Sequence, residues 1–256
     1  MGLAPIDPAA WCKTAISAAQ LRAKLTLLTS HHSGVVQATS ESGRAQQLLL
    51  DAIEQTHDST TARNASKQFV SNLALTTAAL CVPEDLCLLE RRGDHYELVA
   101  GCVTAPSYWR LSDKLGKSLW AVHDNVPGLN NALGERMQTF FKRLPAQRCL
   151  LRRNWFIHAS SELFQPDPER RHPVVSADDA AQLTMRSETQ TLRRLSQQVI
   201  VFTIAVDCYP LREISAYPAA AKSLLTALAS RNEQEREAAS QASYEQGVYR
   251  FLEHCI

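Results

Sequence analysis

The chain predicts an α+β fold, an antiparallel sheet of five strands with helices on one face, and three observations carry that reading. Two apolar runs, Leu86 to Leu89 and Tyr96 to Val103, flank Arg91-Arg92-Gly93-Asp94. A Gly-Asp pair between strand-like runs marks a hairpin, because glycine supplies the positive φ of a tight turn. Three more strand-like runs follow only after a long helical region: Arg148 to Ile157, Thr189 to Leu195 and Val199 to Val206. The last of them, VIVFTIAV, is continuously apolar and rich in β-branched residues, the pattern of a central strand buried on both faces. Two strands, then helices, then three strands separate helices and sheet into layers.

Residues 1 to 82 read as a helical N-terminal extension. Ile16, Ala19, Leu21, Leu25 and Leu28 recur at helical spacing until His31-His32-Ser33-Gly34 breaks the pattern. Leu48, Leu49, Ala52 and Ile53 mark a short second helix, and Phe69, Leu73, Thr77 and Leu80 a third, stopped by Pro83. No motif of catalysis falls here, and packing against the sheet is the expected role. Residues 83 to 211 hold the sheet. Between its second and third strands, Leu111 and Leu115 predict a short helix closed by Gly116, and Ser118 caps another over Leu119 to His123. Asn125 to Gly128 make a turn. Leu129, Leu133, Met137, Phe140, Phe141 and Leu144 then form an apolar stripe with Glu135, Arg136, Gln138 and Lys142 opposite, an amphipathic helix ended by Pro145. Residues 159 to 185, with QPDPERRHP, form an irregular connection. Residues 212 to 256 predict two C-terminal helices, Ala219 to Ala229 and Glu245 to Leu252, on either side of the polar stretch Ser230 to Ser243.

The composition excludes several classes. With 45% hydrophobic and 21% charged residues in 256, the chain is globular rather than disordered. A net charge of +1 gives no global field toward nucleic acid or an anionic membrane, so neither is an expected partner. The seven cysteines fall singly, without a CxxC or ligand spacing, which reads as reduced thiols in the cytoplasm. No signal peptide and no membrane span are expected, since the N-terminus carries Pro5 and Pro8 and no long apolar run. A homo-oligomer is compatible with all of this.

Several segments are distinctive words rather than generic patterns. EDLCLLER, YELVAG followed by Pro106 and Trp109-Arg110-Leu111, KLGKSL, VHDNVPG, MQTFFKRL, RNWFIH, ELFQP, QTLRRL and VFTI occur in this order. Together they resemble the haem-dependent oxidative N-demethylase family over about residues 84 to 211. The order of elements also matches the PAS topology, in which ligands lie between the sheet and the helices after strand two. The resemblance implies a b-type haem in that cavity, O2 as co-substrate, and oxidation of an N-methyl group of a small amine to formaldehyde and the demethylated amine. Electrons would come from a flavin and iron–sulfur reductase partner. The chain has no G-x-G-x-x-G and no clustered cysteines with which to carry those centres itself.

Haem iron needs an axial donor on a rigid element beside an apolar slot. His123, at the end of a short helix within VHDNVPG, is the expected metal ligand; its bland alternative is a helix C-terminal histidine favoured by the macrodipole. His158, after a strand, is the second candidate. Arg193 and Arg194 alternate along one strand, so they point to opposite sheet faces. One of them would meet the haem propionates and the other is solvated. Arg110 is a further cation within reach of propionates. Trp155 is a candidate for the distal wall, although tryptophan there is more often simply core. Asn154, Glu188 and Thr191 are the candidates to hold the amine. Two departures from the family pattern stand out: Thr189 where an Arg follows the Glu, and Ser196 where a Pro is expected. They imply a different substrate, or lost demethylase activity. A non-catalytic haem-PAS sensor of O2, nitric oxide or redox state is the alternative from another class, and a haem-free PAS-like module a third. No output domain is visible to favour a sensor.

Overall fold

The structure is a computed structural model that describes residues 2–12, 15–69, 72–122, 139–146, 148–167, 177–231 and 244–256. It is α+β, with one seven-stranded sheet whose neighbouring strands all run antiparallel. In spatial order the strands are β1 (Ala4–Ile6), β5 (Cys149–His158), β6 (Thr184–Arg194), β7 (Val199–Pro210), β3 (Asp85–Arg92), β4 (His95–Cys102) and β2 (Val36–Ala38). The five expected strands are there, with VIVFTIAV in the centre as β7. The expectation of five strands in all is corrected to seven. Both additions are three-residue edge strands from the N-terminal segment, too short to show an alternation that a reader of the sequence could see.

The segment expected to carry helices between the second and third long strands covers one face, and the N-terminal extension covers the other. The N-terminal helices α1 (Ala18–Ser30), α2 (His32–Val35), α3 (Gly43–Glu54), α4 (Thr60–Ser66) and α5 (Leu73–Cys81) lie over what is here called the first face. There Leu28, Leu49, Ile53, Leu75 and Leu80 bury themselves against Leu86, Leu88 and Val201. On the second face Leu111, Leu119, Phe141 and Leu144 pack on Cys87, Leu89, Leu98 and Ile200. A third cluster joins α7 (Ala177–Ala180), α8 (Pro218–Ala229) and α9 (Glu245–His254) to Ile157 and Leu183 at the far end of β5 and β6. Each fully buried aliphatic side chain contributes about 1.5–3 kcal/mol, so covering both faces is how the sheet becomes a core. β7 runs apolar on both sides because both sides are covered.

Local chemistry sets the ends of these elements. Ser17 and Gln20 form a reciprocal capping box at the start of α1, closing two N–H groups that the helix cannot satisfy itself. Gly93, at φ +60°, and Asp94 make the two-residue turn between β3 and β4, as the sequence predicts. Gly101 on β4 lets Leu111 approach so closely that an added Cβ would meet its Cδ1 at 3.0 Å. That close approach brings the chain after β4 down onto the second face. The expected short helix there is a 3-10 turn, Leu111–Asp113, and α6 (Leu119–Val122) follows with Ser118 Oγ accepting from Ala121 N at 3.3 Å. The turn expected at Asn125 to Gly128 lies outside the described residues. So do most of the amphipathic helix, whose last turn (139–143) is helical, much of QPDPERRHP, and most of Ser230 to Ser243. Among the described residues no helix is long and apolar enough to cross a membrane.

Lys24 of α1 is 5% exposed, and its Nζ donates to the carbonyls of Ala79 (3.0 Å), Val82 (2.9 Å) and Glu84 (2.6 Å). One ammonium thus closes the C-terminal end of α5 and the entry to β3, where helix carbonyls lack partners and the macrodipole favours a cation. Lys24→Met keeps the apolar stem and strands three buried acceptors. We expect it to lower stability by about 3 kcal/mol, read as a reduced urea midpoint at unchanged m.

Candidate functional site

The pairing of β5, β6 and β7 sorts their side chains between two faces. Arg193 stands opposite Val201 of the first-face core, and Leu192 and Arg194 opposite Phe202 and Ile200 of the second. Stepping by two, Arg186, Glu188, Gln190, Leu192 and Arg194 belong to the second face, and Thr189, Thr191 and Arg193 to the first. On β5, Arg152, Asn154, Phe156 and His158 stand opposite Gln190, Glu188, Arg186 and Thr184, so they too belong to the second face.

A polar chain runs along that face. Arg152 Nε donates to Gln190 Oε1 at 2.5 Å, Gln190 Nε2 donates to Glu188 Oε2 at 2.8 Å, and Ser107 Oγ donates to Glu188 Oε1 at 3.1 Å. Arg186 is completely buried. Its Nη1 donates to Leu163 O at 3.2 Å and its Nη2 to Ala105 O, while Nε stands 3.9 Å from Glu188 Oε1. Nε has no hydrogen bond among the described residues. Asp85, 1% exposed, holds the same loop from the other side. Its Oδ1 accepts from Thr104 N and Oγ1, each at 2.7 Å, and its Oδ2 from Ala105 N at 2.9 Å. Tyr108 then turns in the left-handed region at φ +61° and sets its ring 4.6 Å from that of His158. The loop after β4 is therefore a wall of the second face, fastened by one buried cation and one buried carboxylate. Half-buried Leu150, Phe156 and Phe202 continue the face as an apolar floor.

The expected site residues divide accordingly. Asn154 and Glu188 face each other on the second face, and His158 lies buried on it. Thr191 is on the first face, where its hydroxyl bonds Trp11 O. Arg193 and Arg194 do point to opposite faces. Arg193 stacks over Trp11 at 4.9 Å, and Arg194 is engaged with the carbonyls of Phe141 and Leu144 and, at 3.0 Å, with Tyr96 Oη. Trp155 belongs to the C-terminal cluster under Arg231, 4.4 Å away, and Arg110 makes an exposed pair with Asp167 at 3.2 Å. His123 lies outside the described residues. Ser196 does a turn's work between β6 and β7, accepting from Gln198 N (3.2 Å) and Val199 N (3.1 Å). Thr189 lines a cavity on the first face. Arg152, Arg186, Gln190, Ser107 and Asp85 were not anticipated. The signal for two of them, Arg186 and Gln190, was an Arg-Glu-Gln ladder at every second residue of one strand, with the expected Glu188 between them, legible only once the strand's faces are known.

Burial raises the thiols of all seven cysteines: Cys81 and Cys149 to about 11, Cys102 to about 12, and Cys12, Cys87, Cys208 and Cys255 likewise upward. Thiolate ligands at neutral pH are disfavoured at these positions. Among the described residues no three His, Cys, Asp or Glu side chains converge as a metal site.

The model of a family described as haem-dependent oxidative N-demethylase, alpha subunit-like, matches residues 46–248. The chain belongs to that family. The match reaches beyond the segment of resemblance at both ends, taking in α3 from Gln46 onward, α4, α5 and the C-terminal α8. No curated protein matches the chain at a significant level.

The family's name implies a haem, and the second face can be tested for one. A porphyrin holds its iron with its own nitrogens. It asks the protein for an apolar plate, cations for its propionates and one or two axial donors. Leu150, Phe156 and Phe202 offer the plate, and Arg152, exposed at the end of the polar chain, the cation. The unpartnered Arg186 Nε is a further donor beside Glu188, and His158 a buried imidazole. This donor set fits.

Two predictions follow from this geometry. Arg186→Met removes the ties to Ala105 and Leu163 and leaves Glu188 without its neighbouring cation, for an expected loss of about 3–5 kcal/mol. Adding Glu188→Gln should recover part of that loss, a coupling measurable by urea denaturation of the four members of the cycle. The raised thiols set the sign of a pH effect. The folded chain keeps protons that the unfolded chain releases near pH 9, so this stability is complete below pH 9 and disappears as pH rises toward 11. The urea midpoint should therefore hold from neutral pH to about 8.5 and fall above it, less steeply in Cys81→Ala/Cys149→Ala.

Proposed function

We propose that this chain is a haem-dependent oxygenase that oxidises a small amine, by N-demethylation or a closely related reaction, with O2 and electrons from a separate flavin or iron–sulfur reductase. One observation carries the reading: inside the segment matched to the family, the second face sets a desolvated carboxylate, Glu188, opposite Asn154 and beside an apolar floor. The order of the five long strands, third, fourth, fifth, first and second, supports a PAS-like placement of the cofactor over that face.

Arg152 would hold a haem propionate, and His123 the iron, with His158 the alternative. The haem, when bound, supplies oxidation of an N-methyl carbon, which leaves as formaldehyde. The chain supplies orientation. Glu188, already accepting from Ser107 and Gln190, keeps lone pairs for an amine N–H and favours a cationic amine. Asn154 limits where that amine can lie. The loop of residues 104–108, pinned by Asp85 and Arg186, keeps bulk water from this corner.

The test uses full-length protein expressed with excess haem. A Soret band and formaldehyde release from a panel of methylated amines, given reductant and O2, are the expected results. Glu188→Gln should retain the Soret band and lose about 10–100-fold in kcat/KM, the worth of one charge-assisted hydrogen bond. His123→Ala should lose the native ferric spectrum. Haem-loaded protein that turns over no amine and holds a long-lived oxygen complex would replace this reading with a sensor.

A further inference from the structure

Five basic side chains fall within residues 142–153: Lys142, Arg143, Arg148, Arg152 and Arg153. Residues 139–158 contain no Asp or Glu. In a chain whose net charge is only +1, that is a local concentration of positive charge. All four arginines are exposed. Lys142 is paired with Asp94 at 3.1 Å, and Arg152 Nε is bonded to Gln190. The guanidinium groups of Arg143, Arg148 and Arg153 have no partner among the described residues.

The sheet puts these charges on an open edge. β1 pairs with β5 only from Cys149 to Leu151. From Arg152 to Phe156 no described strand lies on that side of β5, so its outward backbone groups form a bare edge. Arg152 and Arg153 are successive residues there and stand on opposite sides of the sheet. Arg148, five residues before Arg153, is about 17 Å from it at strand rise. Cations therefore flank the edge on both sides, and a partner meets them by approaching the edge rather than either face. The neighbouring strands offer little to cancel them. Asp7, just past β1, already accepts from Ala9 N, and Glu188 on β6 is buried and bonded to Gln190 and Ser107.

The charge selects the partner. A second copy of the chain would bring the same arginines against themselves, and like charges at an edge oppose pairing. A nucleic acid or an anionic bilayer senses charge over a wide area, and the chain as a whole offers it no field. An acidic protein surface meets the patch alone. The patch also borders the second face, where Leu150 and Phe156 of the same strand belong to the apolar floor assigned above to haem. Electrons for that haem come from outside the chain, so a carrier has to dock within reach of this floor.

We propose that the β5 edge from Arg148 to Arg153 is the docking surface for that carrier, a small acidic iron–sulfur or flavin protein whose carboxylates pair with Arg148 and Arg153. The assignment rests on the haem reading for its purpose, and on charge and edge geometry for its place.

The probes are a plant-type two-iron ferredoxin and a flavodoxin, both small and acidic, titrated by calorimetry into the full-length protein with and without haem. Saturable binding by one of them is expected, weakening about tenfold or more between about 0.02 and about 0.2 M salt. Arg148→Gln/Arg153→Gln should weaken it about tenfold with the urea midpoint unchanged, since both side chains are exposed and unpartnered among the described residues. Arg22→Gln/Arg44→Gln, the same charge change on the exposed surface of α1 and α3, should leave it unchanged. With haem bound, the Arg148/Arg153 variant should slow reduction by the carrier about tenfold. Reduction by photoreduced deazariboflavin, which needs no docking, should stay as it was. A missing Soret band would remove the haem reading and leave the binding titration intact, so the two failures register separately. No binding by either carrier, equal loss in both double variants, or a DNA duplex or anionic vesicle binding as tightly would overturn the proposal. So would a change of oligomeric state in Arg148→Gln/Arg153→Gln without a change in carrier affinity, the result expected if the arginines only guard the edge.

Discussion

The antiparallel pairing of β6 with β7, from Thr184 opposite Pro210 to Arg194 opposite Ile200, is the constraint on which the rest depends. A strand repeats every two residues, so a slip of one would carry Arg186, Glu188 and Gln190 into the N-terminal core and Thr191 and Arg193 out of it. Apolar burial resists that slip on both sides. Val199 and Val201 are held by the N-terminal helices, and Ile200 by the chain that returns after β4. The chemistry of each face follows from a register fixed by packing.

Two buried cations, Lys24 and Arg186, and the half-buried Arg194 then fasten the covering layers to the sheet, and they do so mainly through carbonyls. Lys24 gathers the end of α5 and the start of β3, and Arg186 gathers the loops around Ala105 and Leu163. Arg194 gathers Phe141 and Leu144. In each case a junction leaves carbonyls that no ladder or helix can satisfy, and a long side chain from a neighbouring element supplies the donors. Burying a cation is costly, and several hydrogen bonds at once are what offset it. Arg186 differs in retaining an N–H without a hydrogen bond among the described residues, 3.9 Å from the Glu188 carboxylate.

The two faces are chemically unlike, although one strand serves both. The second presents carboxylate, amide and guanidinium side chains in a bonded chain over an apolar floor. The first presents hydroxyls and an indole against aliphatic walls. Five buried thiols, Cys12, Cys81, Cys102 and Cys149 on the first face and Cys87 on the second, serve as protonated apolar filling, which agrees with their scattered spacing in the chain.

The sequence by itself determined the α+β class, the hairpin at Gly93-Asp94, the central place of VIVFTIAV, the helices over Ala18–Ser30, Leu73–Cys81, Pro218–Ala229 and Glu245–His254, and the family. These are set by local periodicity, turn chemistry and distinctive words, all of which a linear chain displays. Alternation also determined that Arg193 and Arg194 part company. The tertiary structure alone decided which face each would join, because strand periodicity distinguishes two sides without naming them. It separated Thr191 from Asn154 and Glu188, spent Arg194 on carbonyls and placed Trp155 in the C-terminal core. It also recruited Asp85 and Ser107 from far along the chain to the neighbourhood of Arg186 and Glu188. Short edge strands and carbonyl-binding cations share the same physical reason for being hidden: their partners are distant in sequence, and only the closed sheet brings them within hydrogen-bonding distance.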